Sequence, residues 1–392
     1  MKTLAKTGNE AMAYAMKQIN PDVVAAYPIT PATEIVQIFS NYVADGEVDT
    51  EFVAVESEHS ALSACFGASV AGARVMTSTS SQGLALMHEI LYIVAGNRLP
   101  IVIALVNRTL SAPINIHCDH SDTMGSREAG WIQLYCANSQ EAYDSIIIAL
   151  RLAEMTSVPA IASTDAFIIS HAMERLEVLD DADVQKFIGE FKPKLRALDT
   201  DHPMTFGPLD LQDYYFEHKR GQLDAMSKVL EAYEKVARDY EKISGRYYPT
   251  VEEYRTDDAD VAIFTAGSTA DTAKEVVDDL REKGRKVGLV RMRMWRPLPV
   301  EALKKALGKF KAVAVMDRSD TMADFGGPVF VETRAALYDM PKKPLMTDYV
   351  YGLGGRNIEI SDIVHVYDEI EKVAKNGKVE KMIQYLGVRG EA

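Results

Sequence analysis

Cysteine is scarce. The 392-residue chain carries three, Cys65, Cys118 and Cys136, too few and too scattered for a disulfide framework. Nor can they hold an iron–sulfur cluster, which takes four thiolates; buried, inert thiols are the expectation. No apolar run approaches the roughly 18 residues of a membrane span. Basic residues are in the minority: Lys and Arg number 43 against 57 Asp and Glu, for a net charge of −14. That balance argues against a nucleic-acid binder, which shows a basic footprint. It favours a protein that handles small molecules or docks on basic partners. The apolar core of a signal peptide is missing too, since Met1-Lys2-Thr3-Leu4-Ala5-Lys6 leads into an amphipathic helical pattern. The expected compartment is the reducing cytoplasm.

The nucleotide motifs are incomplete. Gly267-Ser268-Thr269 lacks the later glycines of a dinucleotide fingerprint, and Gly352-Leu353-Gly354-Gly355-Arg356 has no acidic partner at the required distance. A Walker loop and a Gly-Asp-Gly type Mg²⁺ motif are absent.

What is present is the balance of an ordinary globular protein, 47% hydrophobic and 26% charged. The length suggests about two to three domains. Short β-branched runs alternate with longer helical patterns, which indicates α/β layering on a parallel sheet. Helices are expected over Gly8–Ile19, Pro31–Val43, Glu58–Gly72, Gln82–Val94 and Ser139–Glu154, between strands at Asp22–Tyr27, Glu51–Val55, Arg74–Ser78, Ile101–Val106 and Pro159–Ser163. Residues from Asn107 to about Gly130 read as one long loop, a length that asks for a functional reason. A tyrosine-rich, charged connector spans about 175–258, with a helix at Gly221–Ser244, wrapped on a neighbour rather than free. A second α/β unit begins near residue 259.

Ligands of open parallel sheets bind at the carboxyl ends of strands. The first strand ends in Tyr27-Pro28-Ile29-Thr30-Pro31, where Thr30 is placed to cap a helix starting at Pro31. Such a helix start favours an anionic group, though a plain well-capped helix would read the same way. The next strand ends in Glu56-Ser57-Glu58-His59. Two carboxylates one residue apart point in different directions, so one is a first-turn helix acid or a proton-handling group tuned by burial. Thr77-Ser78-Thr79-Ser80-Ser81-Gln82-Gly83 offers a run of hydroxyls for caps or ligand contacts. Arg108 ends a further strand, as a carboxylate fork or as half of a surface salt bridge. His117-Cys118-Asp119-His120 matches no usual metal spacing and reads as polar lining of a shared site.

Taken in order, the Tyr27–Pro31, Glu56–His59 and Thr79–Gly83 motifs, Gly96-Asn97-Arg98-Leu99-Pro100, Asn107-Arg108, Asp119-His120-Ser121-Asp122 and Gly130-Trp131-Ile132-Gln133 form a series. Gly207-Pro208-Leu209-Asp210-Leu211 and Arg293-Met294-Trp295-Arg296-Pro297 extend it along the chain. The series resembles the alpha subunit of multi-subunit 2-oxoacid:ferredoxin oxidoreductases, most closely of pyruvate:ferredoxin oxidoreductase. The resemblance implies a thiamine-diphosphate-binding-type parallel-sheet domain over 1–230, with the connector within 175–258, and a smaller transketolase-C-terminal-like α/β domain over 259–392. It places Glu58 as the cofactor-activating glutamate, with Pro28, Ile29, Ser81 and Gln82 beside the cofactor. Thr30 and Arg108 fall where the family holds substrate.

The same resemblance puts the Mg²⁺-diphosphate site on a beta subunit and the 4Fe-4S clusters on partner subunits, leaving no metal on this chain. Beta, gamma and delta subunits would be its partners, coenzyme A a substrate and ferredoxin the electron acceptor. The implied reaction is reversible conversion of pyruvate to acetyl-CoA and CO2. An uncharged Ile29 beside Thr30 offers no second cation, which favours pyruvate over a dicarboxylate. The rivals are 2-oxoisovalerate, 2-oxoglutarate or oxalate as substrate, or a non-catalytic scaffold subunit or nucleotide-binding module.

Overall fold

Strand Val102–Asn107 is buried along its whole length, as a central parallel strand covered on both faces must be. In the computed structural model, which describes residues 1–390, it lies in a seven-stranded sheet. The order runs Met294–Arg296, Ile132–Tyr135, Ala160–Asp165, Val102–Asn107, Val75–Thr79, Val23–Ala26, Glu51–Ala54. All pairs are parallel except the first. The order reverses between Val23–Ala26 and Val75–Thr79, the switch point at which a crevice opens in such sheets. A second, six-stranded sheet runs Ile383–Leu386, Leu345–Tyr351, Ala312–Asp317, Val261–Ala266, Val287–Met292, Val251–Tyr254, its last strand antiparallel.

Several expectations are corrected. Strand Lys2–Lys6 precedes the first helix and pairs antiparallel with Glu174–Val178. The presumed loop from Asn107 to about Gly130 contains helix Ser121–Gly125, and strand Ile132–Tyr135, which was not expected, follows it. The helix expected over Gln82–Val94 is two, Ser81–Leu86 and His88–Gly96. Strand Met294–Arg296 follows residues of the second sheet in sequence but adds to the edge of the first. The two layers are therefore stitched by main-chain hydrogen bonds.

The connector does wrap on a neighbour. Thirteen of the eighteen residues of helix Ser139–Thr156 are buried, because helix Gly8–Ile19 and the connector helix Val229–Ser244 both pack against it in addition to the sheet. Asp144 is the anchor: Arg246 donates to it at 2.7 and 2.9 Å, Tyr248 at 2.5 Å, and Tyr240 also bonds it. All three cysteines are buried, and burial pushes the thiols of Cys65 and Cys136 up to about 12. Among the described residues no helix is long and apolar enough to cross a membrane.

Candidate active site

Helix Glu58–Ala71 starts at Ser57, whose side chain accepts from the Ser60 backbone N–H. That cap makes Glu58 the first helical residue and turns its side chain inward, to 7% exposure. Glu56 goes the other way, exposed and bonded to the Ser60 hydroxyl. Among the described residues no hydrogen-bond donor reaches the Glu58 carboxylate, an expensive position for a polar group this deep unless something else pairs with it.

Across from it lies Gly83. A Cβ there would stand 2.9 Å from Glu58 Oε1, 2.8 Å from its Cγ and 2.2 Å from Thr79 Oγ1. Thr79 Oγ1 is itself buried without a partner. A carboxylate, an orphaned hydroxyl and a missing side chain thus share one recess beyond the carboxyl ends of strands Glu51–Ala54 and Val75–Thr79, which flank Val23–Ala26. The recess suits the nitrogen-bearing edge of a flat heteroaromatic ring, which gives the carboxyl group something to bond.

Ser81 takes a left-handed φ of 47°, uncommon for a residue with a side chain. Asp122 holds it there, accepting from Ser81 N at 3.1 Å. The same Oδ2 accepts from Arg108 N at 3.0 Å, while Oδ1 takes Asn107 Nδ2 at 2.8 Å and Thr123 N at 2.7 Å. One carboxylate therefore ties together the starts of two site segments. Burial raises its pKa to about 6 against the pull of those donors. The Ser81 hydroxyl lies 2.6 Å from both Gln82 Oε1 and the Thr109 carbonyl, so it builds the wall of the site from within.

Arg108 is 6% exposed. Its Nε donates to Asn115 O and its Nη1 to Thr30 O, both at 2.9 Å. Among the described residues no carboxylate side chain pairs with it, so the salt-bridge reading does not hold; burial lowers its pKa. Two carbonyls orient the fork and leave its other N–H groups for an incoming anion.

Thr30 is corrected as a cap. The helix begins at Thr33, and Ala32 occupies the cap position without a side-chain bond. The carbonyls of Thr30 and Pro31 are drawn sideways by Arg108 and by Asn9 Nδ2, the latter at 2.9 Å, so the chain cannot enter the helix there. Thr30 and Pro28 are exposed and Ile29 is half-buried.

The His117–Asp122 run does not line one site. His120 is buried and bonds Asp165 at 2.8 Å, while exposed His117 stacks on Phe167 at 5.0 Å between ring centroids. Cys118, His120 and Asp165 bring potential ligand atoms within 4.8 Å of one another. Arg318, however, pairs with Asp165 at 2.8 Å, and Ser268 N and Oγ donate to it at 2.9 and 2.5 Å. The charge there is already balanced, and the cluster is a joint between the two layers. A second joint sets Glu141 between Arg291 and Arg293, at 2.7 Å from each.

The sequence offered Gly83 and Asp122 only as members of their motifs, without the contact with Glu58 or the tying role, and gave no sign of Asn115. The Asp119–Asp122 motif pointed to the right segment without its geometry.

Two α/β layers built on mainly parallel sheets, the first with Glu58 and Gly83 in contact beside the switch point, set the class of fold. The model of the pyruvate flavodoxin/ferredoxin oxidoreductase thiamine-diphosphate-binding domain matches residues 14–238, and that of pyruvate:ferredoxin oxidoreductase core domain II matches 259–363. The chain belongs to the pyruvate:ferredoxin oxidoreductase family. It is 51% identical to pyruvate synthase subunit PorA of Thermotoga maritima, over 99% of each chain. It is 46% identical to the Pyrococcus furiosus subunit of that name, over 98% of this chain and 97% of the relative. Ketoisovalerate oxidoreductase subunit VorA of P. furiosus is 42% identical over 96% of each. Among solved structures, 2-oxoglutarate:ferredoxin oxidoreductase from Magnetococcus marinus, with 2-oxoglutarate, coenzyme A and succinyl-CoA bound, superimposes with a TM-score of 0.74 at 21% identity. That match covers 94% of this chain and 65% of the other. A split-gene transketolase shares the fold more distantly, with a TM-score of 0.54 at 13% identity over 95% of this chain and all of the other.

Proposed function

We propose that this chain is the alpha subunit of a coenzyme-A-dependent pyruvate:ferredoxin oxidoreductase, and that its recess holds the pyrimidine ring of thiamine diphosphate. One observation carries the reading. A buried carboxylate without a donor and a buried guanidinium without a carboxylate stand at the ends of strands in one sheet. When bound, thiamine diphosphate supplies the carbon nucleophile that adds to a 2-oxoacid and the conjugated system that takes up the electrons left by CO2.

Glu58 holds a proton between its carboxyl group and ring nitrogen N1′. Held there, the proton of Glu58 would support the ring's own amino group as the base. Gly83 lets the ring edge approach, and Pro28 and Ile29 border it. Gln82, set against Ser81, completes the polar wall. Arg108 binds the substrate carboxylate with the N–H groups its two carbonyl partners leave open, and the exposed Thr30 hydroxyl bonds the substrate's carbonyl side. Ile29 adds no second cation, which suits a monocarboxylate.

In this reading residues 1–230 form the pyrimidine-binding unit, the connector lies within 175–258, and 259–392 form the transketolase-C-terminal-like unit. A beta subunit supplies the Mg²⁺-diphosphate site. 4Fe-4S clusters on partner chains pass electrons singly to ferredoxin, gamma and delta subunits complete the assembly, and the compartment is the cytoplasm. Similarity to a ketoisovalerate oxidoreductase subunit at 42% identity keeps a branched 2-oxoacid as the second reading.

Substrate-dependent dye reduction by the assembled complex across a panel of 2-oxoacids tests the proposal. The highest kcat/KM is expected for pyruvate. A higher value for 2-oxoisovalerate or 2-oxoglutarate would overturn the substrate assignment.

A further inference from the structure

Arg108 takes its direction from two carbonyls, and one of them sits in a segment with little anchorage of its own. Ser111, Ala112, Pro113, Ile114, Ile116 and His117 are all exposed; only Asn115 among them is half-buried. An exposed segment of this kind is mobile unless tied from elsewhere.

The tie comes from the second layer. Asn115 Nδ2 donates to Gly354 O at 2.9 Å, and its Oδ1 accepts from His117 N at 2.8 Å. The Gly352–Arg356 turn then follows the segment onward: Gly355 N donates to Cys118 O at 2.7 Å, and Gly354 N to Asp119 Oδ2 at 3.2 Å. The approach is close enough to require glycine. Gly354 and Gly355 have φ of 61° and 78°, a region that disfavours a side chain. A Cβ on Gly355 would lie 2.3 Å from His117 Cβ, and one on Gly354 would lie 2.6 Å from Asn115 Nδ2. The glycine-rich turn that lacked a nucleotide-binding context is a clamp.

We propose that Asn115 is a positioning residue for the substrate, and that the Gly352–Arg356 turn of the second layer sets the guanidinium of Arg108 through it. The inference rests on the reading of Arg108 as the carboxylate holder. Planar recognition of a carboxylate depends on the plane of the fork. Loosening Asn115 O therefore disorders the fork without removing its charge.

The test uses the assembled complex with Asn115→Ala, Gly355→Ala, Arg108→Lys and the Asn115→Ala/Arg108→Lys double variant, each with its thermal midpoint. Asn115→Ala is expected to raise KM for pyruvate about five- to tenfold, the scale of one lost orienting hydrogen bond. Its kcat and KM for coenzyme A should stay within about twofold. Gly355→Ala, acting from the other layer, should move pyruvate KM the same way. In the double variant Asn115→Ala should add nothing to Arg108→Lys, because the two act through one group. If Arg108→Lys raises KM but neither Asn115→Ala nor Gly355→Ala does, the clamp is overturned and the Arg108 reading stands. If Arg108→Lys leaves KM unchanged, the underlying reading fails and the clamp with it. A fall in kcat and thermal midpoint for Asn115→Ala without a change in KM would make its role structural only, and would also overturn the proposal.

Discussion

Glu58 and Gly83 meet with no room for a methyl group between them: a Cβ on Gly83 would stand 2.9 Å from Glu58 Oε1 and 2.8 Å from its Cγ. The contact joins the helix that follows strand Glu51–Ala54 to the helix that follows Val75–Thr79, on either side of the switch point. Thr79 Oγ1, 2.2 Å from the same Cβ position, closes the recess from the strand side, and the chemistry proposed here depends on both contacts.

Gly83→Ala should therefore act on activity more than on folding. Overpacking of this kind costs about 1–3 kcal/mol of stability, since both the Thr79 hydroxyl, 2.2 Å from the added Cβ, and the Glu58 side chain must shift. Displacing that carboxyl group should lower turnover at least about tenfold, because small misplacements of an acid–base group are costly. Steady-state kinetics with thermal melts of the assembled complex would check this. Undiminished turnover would mean that the recess has slack.

The joint between the layers should be sensitive to acid. Burial alone would raise the pKa of Glu141, but Arg291 and Arg293 outweigh it and hold the group at about 2, against an ordinary value of 4.5. A lowered carboxylate pKa contributes stability that is present above the unfolded value and is lost as pH falls through the folded one. Chemical denaturation from pH 7 down to pH 3 should show that loss beginning near 4.5. Glu141→Gln should cost about 3–5 kcal/mol at pH 7, because it leaves the buried Arg293 guanidinium without a carboxylate, while Arg291 keeps Glu252 at 2.6 Å. Its stability should then depend less on pH over the same window.

Asp317 and Asp348 should show the opposite sign. Both are fully buried, on adjacent parallel strands. Asp317 Oδ2 accepts from Phe330 N at 2.9 Å and Asp348 Oδ2 from Gly327 N at 2.6 Å, while both Oδ1 atoms lack a partner. Burial raises both, Asp348 to about 7 and Asp317 well above the usual range with Asp348 adding to it. Stability from such groups is full below the unfolded value and is lost as pH rises through the folded one. Asp348→Asn should be more stable than the natural chain at pH 8, with a smaller difference at pH 5 that vanishes below the ordinary carboxylate value of 3.8. Melts at the two pH values decide it, and a variant that is less stable at pH 8 would contradict the assignment.

The legible parts were those with a local signal. Glu58 and Arg108 could be singled out because each follows an apolar run at a strand's carboxyl end, and the alternation of strands and helices marked both parallel sheets. The rest depends on contacts with no local signature. Asn115 and Gly354 are 239 positions apart, and a lone glycine such as Gly83 has no periodicity. Strand Met294–Arg296 has three residues, too few to display an alternation, and its pairing crosses from one layer to the other. Thr30 followed by proline looked like a helix cap. Arg108 and Asn9, which draw the Thr30 and Pro31 carbonyls away, are remote in sequence.

The measurement that bears most directly on the account is hydrogen–deuterium exchange at C2 of thiamine diphosphate bound in the assembled complex, followed by NMR in the natural chain, Glu58→Gln and Glu56→Gln. Glutamine keeps the shape and a hydrogen bond but cannot pass the proton to N1′. Glu58→Gln should therefore slow exchange and turnover by roughly 10²–10⁴ while cofactor stays bound, the usual range for a lost acid–base group. Glu56→Gln, altering an exposed side chain bonded to Ser60, should cost far less. Exchange at the natural rate in the Glu58→Gln complex, or a larger loss from Glu56→Gln, would contradict the assignment of Glu58.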